Sequence, residues 1–233
     1  MKTDAKLDRV ESPGIHMQTA APAYPFREEL ANALTHGLGV IASLCGGSVL
    51  ITLAAMTGDG WRLAGAIVFS VSMLMLYTAS TLYHAIPHAT AKARLKVFDH
   101  CAIFVLIAGT YTPVTLISLR ATVGWWLFAA IWALAALGVA FKLFYTGRFR
   151  FLSTLVYVAM GWLVLPVIVP LVHALSAAAL AWLLVGGAAY TVGAVVYMSR
   201  RAYAHALWHL FVLLGSVSHF VSIAIQVLQK PVT

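Results

Sequence analysis

Charge is the scarcest commodity in this 233-residue chain. Only 9% of its residues are Asp, Glu, Lys or Arg, against about 25% in ordinary soluble domains. A helix of a soluble protein keeps one charged face, and long stretches here have none, while 62% of the residues are hydrophobic. A soluble fold is excluded, and the bilayer is the solvent this composition suits. Acidic residues are scarcer still, and Asp99 is the only one between Gly60 and the C-terminus. Cysteine is limited to Cys45 and Cys101. Both fall inside apolar stretches and lack C-x-x-C spacing. This excludes a disulfide framework and a redox motif and leaves them as small buried apolar residues. No basic patch is interleaved with aromatics, so no nucleic-acid partner is expected. The net charge of +8 reads instead as membrane topology and attraction to anionic head groups.

The few charges punctuate the chain. None occurs in 30–58, 63–91, 100–119, 121–141, 151–199 or 202–229. A spanning helix needs about 20 apolar residues, so five of these windows hold one helix each. The window 151–199 holds two, with the break marked by Pro166, Pro170, His173 and Ser176. The expected fold is therefore all-α, a polytopic seven-transmembrane helix bundle with spans at 32–55, 63–86, 97–118, 123–143, 151–171, 178–198 and 203–228. Residues 1–27 are polar, carry Pro13-Gly14, Pro22 and Pro25, and read as a flexible tail. The apolar core begins only near residue 30, too late for a signal peptide.

Basic residues orient the bundle. One side would hold Lys2, Lys6, Arg9, Arg27, Lys92, Arg94, Lys96, Lys142, Arg148, Arg150, Arg200 and Arg201. The other would hold Arg62, Arg120 and Lys230. Twelve against three predicts a cytoplasmic N-terminus, an external C-terminus and residence in a plasma membrane.

The polar residues inside the spans carry the chemistry. His205 and His209 are four apart and share one helix face, a spacing that suits two ligands of one metal. In the first span Glu29, Asn32 and His36 form a stripe at i, i+3 and i+7. Acidic residues in a first turn also suit the helix dipole, but a polar stripe entering a membrane faces the bundle interior. Ser80 and His84 share a face at the end of the second span, and Asp99 opens the third. Asp99 is equally a helix-dipole partner, a salt-bridge partner of Lys96 or Arg94, or a functional carboxylate. His100 points about 100° away from it around the helix and is left out of the site. His219 lies about 15 Å deeper than His209 and reads as a buried hydrogen-bonding residue opposite Ser or Thr. The topology then brings Glu29, Asn32, His36, Ser80, His84, Asp99, His205 and His209 to one level on the cytoplasmic side. Gly37, Gly39, Gly46 and Gly47 would allow close helix contact there.

Three neutral imidazoles, His84, His205 and His209, fit zinc with one position open for water. Zinc lowers the pKa of a bound water to about 7. Asp99 and Ser80 would stand around that water as catalytic groups, with Glu29, Asn32 and His36 behind the ligands. If Asp99 binds the metal directly, the site is closed and structural; the sequence leaves both arrangements open.

At these residues the chain resembles the hemolysin III family, the bacterial branch of the progestin and adipoQ receptor superfamily. The likeness rests on Glu-x-x-Asn-x-x-Thr-His at 29–36, Ser-x-x-x-His at 80–84, Phe-Asp-His at 98–100, and His-x-x-x-His at 205–209 followed by His219-Phe220. It covers 28–233 and implies a cytoplasmic-face zinc site on His84, His205 and His209, with Ser80 and Asp99 nearby, in a bacterial inner membrane. The implied activity is zinc-dependent hydrolysis of lipid amides or esters, affecting membrane lipid homeostasis, with membrane lipids or fatty acids as substrate or ligand. A lipid-responsive regulator with structural zinc and a pore-forming haemolytic protein are the alternatives. The extracellular elements of the eukaryotic receptors have no counterpart here, so hormone binding is not implied.

Overall fold

The computed structural model describes residues 24–229 and is all-helical over them. Expectations for Lys2, Lys6, Arg9, Pro13-Gly14, Pro22 and Lys230 concern residues outside that range. Seven helices are long and apolar enough to span a membrane: α1 (Phe26–Met56), α2 (Gly60–Ala85), α3 (Ala89–Ser118), α4 (Gly124–Tyr145), α5 (Arg150–Ala174), α6 (Ala177–Met198) and α7 (Ala204–Leu228). Two helices start well before their expected first residue. α1 starts at Phe26 rather than residue 32, and α3 at Ala89 rather than residue 97. The expected starts followed the loss of charge, but an α-helix needs only its backbone hydrogen bonds and continues into the polar layer. Residues 86–88 form a short non-helical link, and the His88 ring at its end caps α3 by accepting from the Ala91 N–H at 3.4 Å.

The break in the long apolar window falls at Leu175–Ser176. Ser176 there caps α6 through the Ala179 N–H. α5 is also interrupted internally, by a short tight turn at Leu165–Val167 around Pro166, which lacks the N–H that a regular turn would use. Pro113 has a similar effect in α3, whose last turn widens over Val114–Ser118.

α3 is the central helix and α5 the most peripheral. In their most apolar 18-residue stretches, 72% of α3 is buried but only 11% of α5. One apolar core, including Leu50, Phe69, Leu76 and Val212, joins α1, α2, α3 and α7. A second, including Phe104, Ile131, Met160 and Leu171, joins α3 through α6. α1 and α2 approach closely because Gly39 lies against the Tyr77 ring, where a Cβ would stand 2.4 Å from a ring carbon. Cys101 is partly buried as expected, but Cys45 is exposed on the bundle surface. Its turn of α1 faces outward, so its apolar surroundings in the sequence reflect lipid exposure rather than core packing.

Candidate metal centre

α1, α2 and α7 bring the site together at one end of the bundle. α7 begins just after Tyr203, held in the left-handed region at φ 57°, a conformation uncommon outside glycine. The Tyr203 N–H donates to Glu28 Oε2 at 3.1 Å, tying the start of α7 to the first turn of α1. Glu28 therefore does more than offset a helix dipole. With α7 so placed, His205 and His209 face His84 of α2. One nitrogen from each of the three lies within 4.8 Å of the others.

Two of the three imidazoles, His84 and His209, are oriented by their Nδ1 atoms. His84 Nδ1–H donates to Glu29 Oε2 at 2.6 Å, and Glu29 Oε1 pairs with Lys92 Nζ at 3.0 Å. His209 Nδ1–H donates to the Asn32 carbonyl at 3.1 Å, with Thr35 Oγ1 also at 3.1 Å. The Nε2 lone pairs of His84 and His209 are thereby directed away from α1. Histidine ligands of metals are usually oriented by a carboxylate or a carbonyl in this way. His84 Nε2 and both nitrogens of His205 are buried without a partner among the described residues. Buried polar atoms are ordinarily satisfied, so these unpaired nitrogens converging on one point fit a divalent metal held by neutral imidazole donors.

The remaining expected residues are distributed around this trio. His36 stacks on His209, ring centres 3.5 Å apart and 11° from parallel, and leans edge-on against Tyr77. Ser80 is buried, with its hydroxyl unpaired among the described residues. Asp99 is buried too, but it lies outside the three-histidine set. Among the described residues it makes no salt bridge with Lys96 or Arg94. The His100 ring lies beside it, with Nδ1 3.6 Å from the carboxylate. Ser80, Asp99, His36, His205 and His209 all line one cavity of about 300 Å³. It runs from the histidines along Leu76, Ile103, Leu106, Val158, Trp162 and Val212.

Several residues at the cavity carry no signal that spacing along one helix can reveal. His100, set aside by its helical angle, lines the cavity nonetheless and donates from Nδ1 to the Lys96 carbonyl at 2.7 Å. The cavity spreads over more than one face of α3, so the angle from Asp99 does not remove it. Lys142, counted as a loop charge, is 1% exposed and also lines the cavity. Thr35 is legible in retrospect, one turn along the Glu29–Asn32 stripe. Tyr24 covers His205 with ring centres 5.0 Å apart. Burial pushes its hydroxyl up to about 12, so it stays neutral. His219 hydrogen-bonds the Leu183 carbonyl at 3.1 Å rather than a Ser or Thr side chain. His173 is exposed, away from the trio.

Comparison with known proteins gives the following. The family described as "Haemolysin-III related" matches residues 24–220. "Hemolysin-3 homolog" of Bacillus subtilis (strain 168) is 44% identical over 209 residues, covering 89% of this chain and 98% of that protein. "Hemolysin-3" of Bacillus cereus is 44% identical over 203 residues, covering 87% of this chain and 93% of that protein. "Monocyte to macrophage differentiation factor" of Homo sapiens is 26% identical over 209 residues, covering 84% of this chain and 83% of that protein.

Proposed function

This chain belongs to the haemolysin-III-related family, and from that premise we propose that it is a zinc-dependent hydrolase of lipid amides or esters. It would work in a bacterial cytoplasmic membrane, with its histidine site at the cytoplasmic face. One observation carries the reading: the three histidine nitrogens lie within 4.8 Å of one another, and two of these histidines, His205 and His209, line an apolar cavity that Ser80 and Asp99 also line. A structural metal has no need of an adjoining cavity with a free carboxylate and an unpaired hydroxyl. The orientation is supported by charge. Arg27, Lys92, Arg94, Lys96, Lys142, Arg148, Arg150, Arg200 and Arg201 lie at the histidine end, and only Arg62 and Arg120 among the described cations lie at the other.

His84, His205 and His209 would hold the metal. When bound there, zinc supplies Lewis acidity that polarises an acyl carbonyl and lowers the pKa of water. Glu29 and the Asn32 carbonyl hold His84 and His209 in the required tautomer. Asp99 takes a proton from the attacking water as its oxygen bonds to the acyl carbon. It returns that proton to the amine or alcohol as the C–N or C–O bond breaks. Ser80 donates a hydrogen bond to the acyl oxygen, and the apolar wall receives the acyl chain and excludes water.

The test is turnover of acyl amides and esters by detergent-purified protein, with zinc content measured alongside. Asp99→Ala is expected to keep zinc and lose hydrolysis by a factor of about 10² or more. Unchanged turnover in that variant would sink Asp99 as the base. A zinc-replete wild type with no turnover on any acyl lipid would sink the hydrolase and leave a lipid-responsive regulator with a structural metal.

A further inference from the structure

Four cations line the cavity whose far wall is apolar: Lys96 from α3, Lys142 from the end of α4, Arg148 from the α4–α5 link and Arg150 from the start of α5. Against them Asp99 is the only acidic residue on the lining. A topological bias in charge accounts for cations near this end of the bundle, and Arg148 and Arg150 are exposed there, but the bias does not require Lys142 to be buried. Lys142 is 1% exposed. Its ammonium carries three donors, and among the described residues its one side-chain hydrogen bond goes to Ser153 Oγ. Among the described residues no carboxylate comes within salt-bridge distance of Lys96, Lys142, Arg148 or Arg150. An ammonium kept from water without a counterion is costly, and elsewhere in the bundle the chain avoids that cost. Arg62 has Asp59, and Lys92 has Glu29.

We propose that this mouth is an anion site that takes the phosphate group of an acyl lipid, the chain lying along the apolar wall beyond it. The proposal rests on the reading that the cavity holds acyl chains, and it narrows the substrate class to phosphate-bearing lipids. A phosphate offers several acceptor oxygens to converging Lys and Arg donors. The uncapped first turn of α5, which begins at Arg150, adds backbone N–H groups of favourable polarity. The site is also near the chemistry. The Arg150 guanidinium lies 4.2 Å from the Tyr197 ring centre, and that ring is 5.6 Å from His205. A head group held here places the first acyl linkage close to the histidines, with a single tyrosine ring between the two subsites.

The test is equilibrium binding of lysophosphatidic acid and of lysophosphatidylcholine with the same chain, to the full-length protein in a nonionic detergent. The phosphomonoester is expected to bind about tenfold more tightly. Lys142→Gln combined with Arg150→Gln should bring the two lipids within about twofold of each other, with metal content unchanged as the sign of intact folding. If that variant misfolds, Arg148→Gln alone, at an exposed residue, is expected to lower the preference, and rising salt should weaken only the phosphomonoester. Millimolar inorganic phosphate should leave lipid binding in place. Displacement by it would assign the site to free phosphate and overturn the lipid. Equal binding of the two lipids by wild type, or a preference that survives the substitutions, would overturn the site. The preference is expected to persist in His205→Ala/His209→Ala, so a failed hydrolase leaves it standing. Absence of binding by either lipid would instead overturn the cavity reading beneath both.

Discussion

The two ends of the bundle treat polar groups differently. At the Arg62 end the cation is closed off by its neighbours. Arg62 pairs with Asp59 at 3.5 Å and donates to the Val227 carbonyl, and Arg120 lies over the Trp61 ring at 5.3 Å. At the histidine end the chain stops short of satisfying its own groups. Among the described residues His84 Nε2, both nitrogens of His205 and the Ser80 hydroxyl are buried and unpaired. Lys142 has a hydroxyl but no counterion. A bundle selected for stability alone would resolve both ends in the first manner. The difference separates polar residues that hold helices together from polar residues reserved for something the chain does not itself supply.

The contrast breaks most directly at the histidines. His205→Ala/His209→Ala is expected to reduce metal from about one ion per chain to background, since one imidazole alone is a poor site. Elemental content of the purified variant beside wild type reads this. A folded wild type purified without any metal, even after zinc is supplied, would mean that the unpaired nitrogens form only a polar packing network. Next in size is Glu29→Gln, which weakens the acceptor of the His84 Nδ1–H while preserving its shape. Metal affinity should fall by about 10–100-fold, measured by competition with a chelator. An unchanged affinity would show that His84 is oriented by packing against Tyr83 and Tyr24 rather than by the carboxylate.

How much of this was legible in the sequence follows from which physical signal each residue carries. Seven spans and the shared level of His84, His205 and His209 follow from charge-free windows and alternating helix direction, both one-dimensional properties. The stripe Glu29–Asn32–His36 was legible because its spacing matches one turn of a helix. What escaped depends on interhelical packing. Lys142 resembles any basic loop residue until α5 folds back over it. His100 resembles an outward-facing neighbour of Asp99 until the cavity is seen to span two faces of α3. Tyr24 precedes the first helix and has no periodic signal at all. The early start of α3 escaped because hydropathy marks where a membrane begins, whereas a helix begins at its cap.

A smaller effect sharpens the contrast within the site. Ser80→Ala removes an unpaired buried hydroxyl, so it is expected to leave stability unchanged or slightly improved. It should lower turnover of an acyl lipid about tenfold or more through loss of a hydrogen bond to the reacting oxygen. Metal content should not change. A clear loss of stability would instead mark Ser80 as a packing residue.

The mildest prediction lies at the opposite end and has the reverse pattern. Arg62→Met keeps most of the apolar stem but deletes the donor to the Val227 carbonyl and the partner of Asp59. Loss of a buried charge-assisted hydrogen bond costs about 1–3 kcal/mol. The thermal midpoint in detergent should therefore fall, while metal content and turnover per folded molecule remain at wild-type levels. The two serine and arginine variants thus form a crossed pair. One group is satisfied and supports the fold, and the other is unsatisfied and, under the proposed hydrolysis, would serve the chemistry. If Arg62→Met lowered metal occupancy as well, the two ends would be coupled through α7, which carries both Val227 and the histidine pair. The division between them would then describe one cooperative helix rather than two separate tasks.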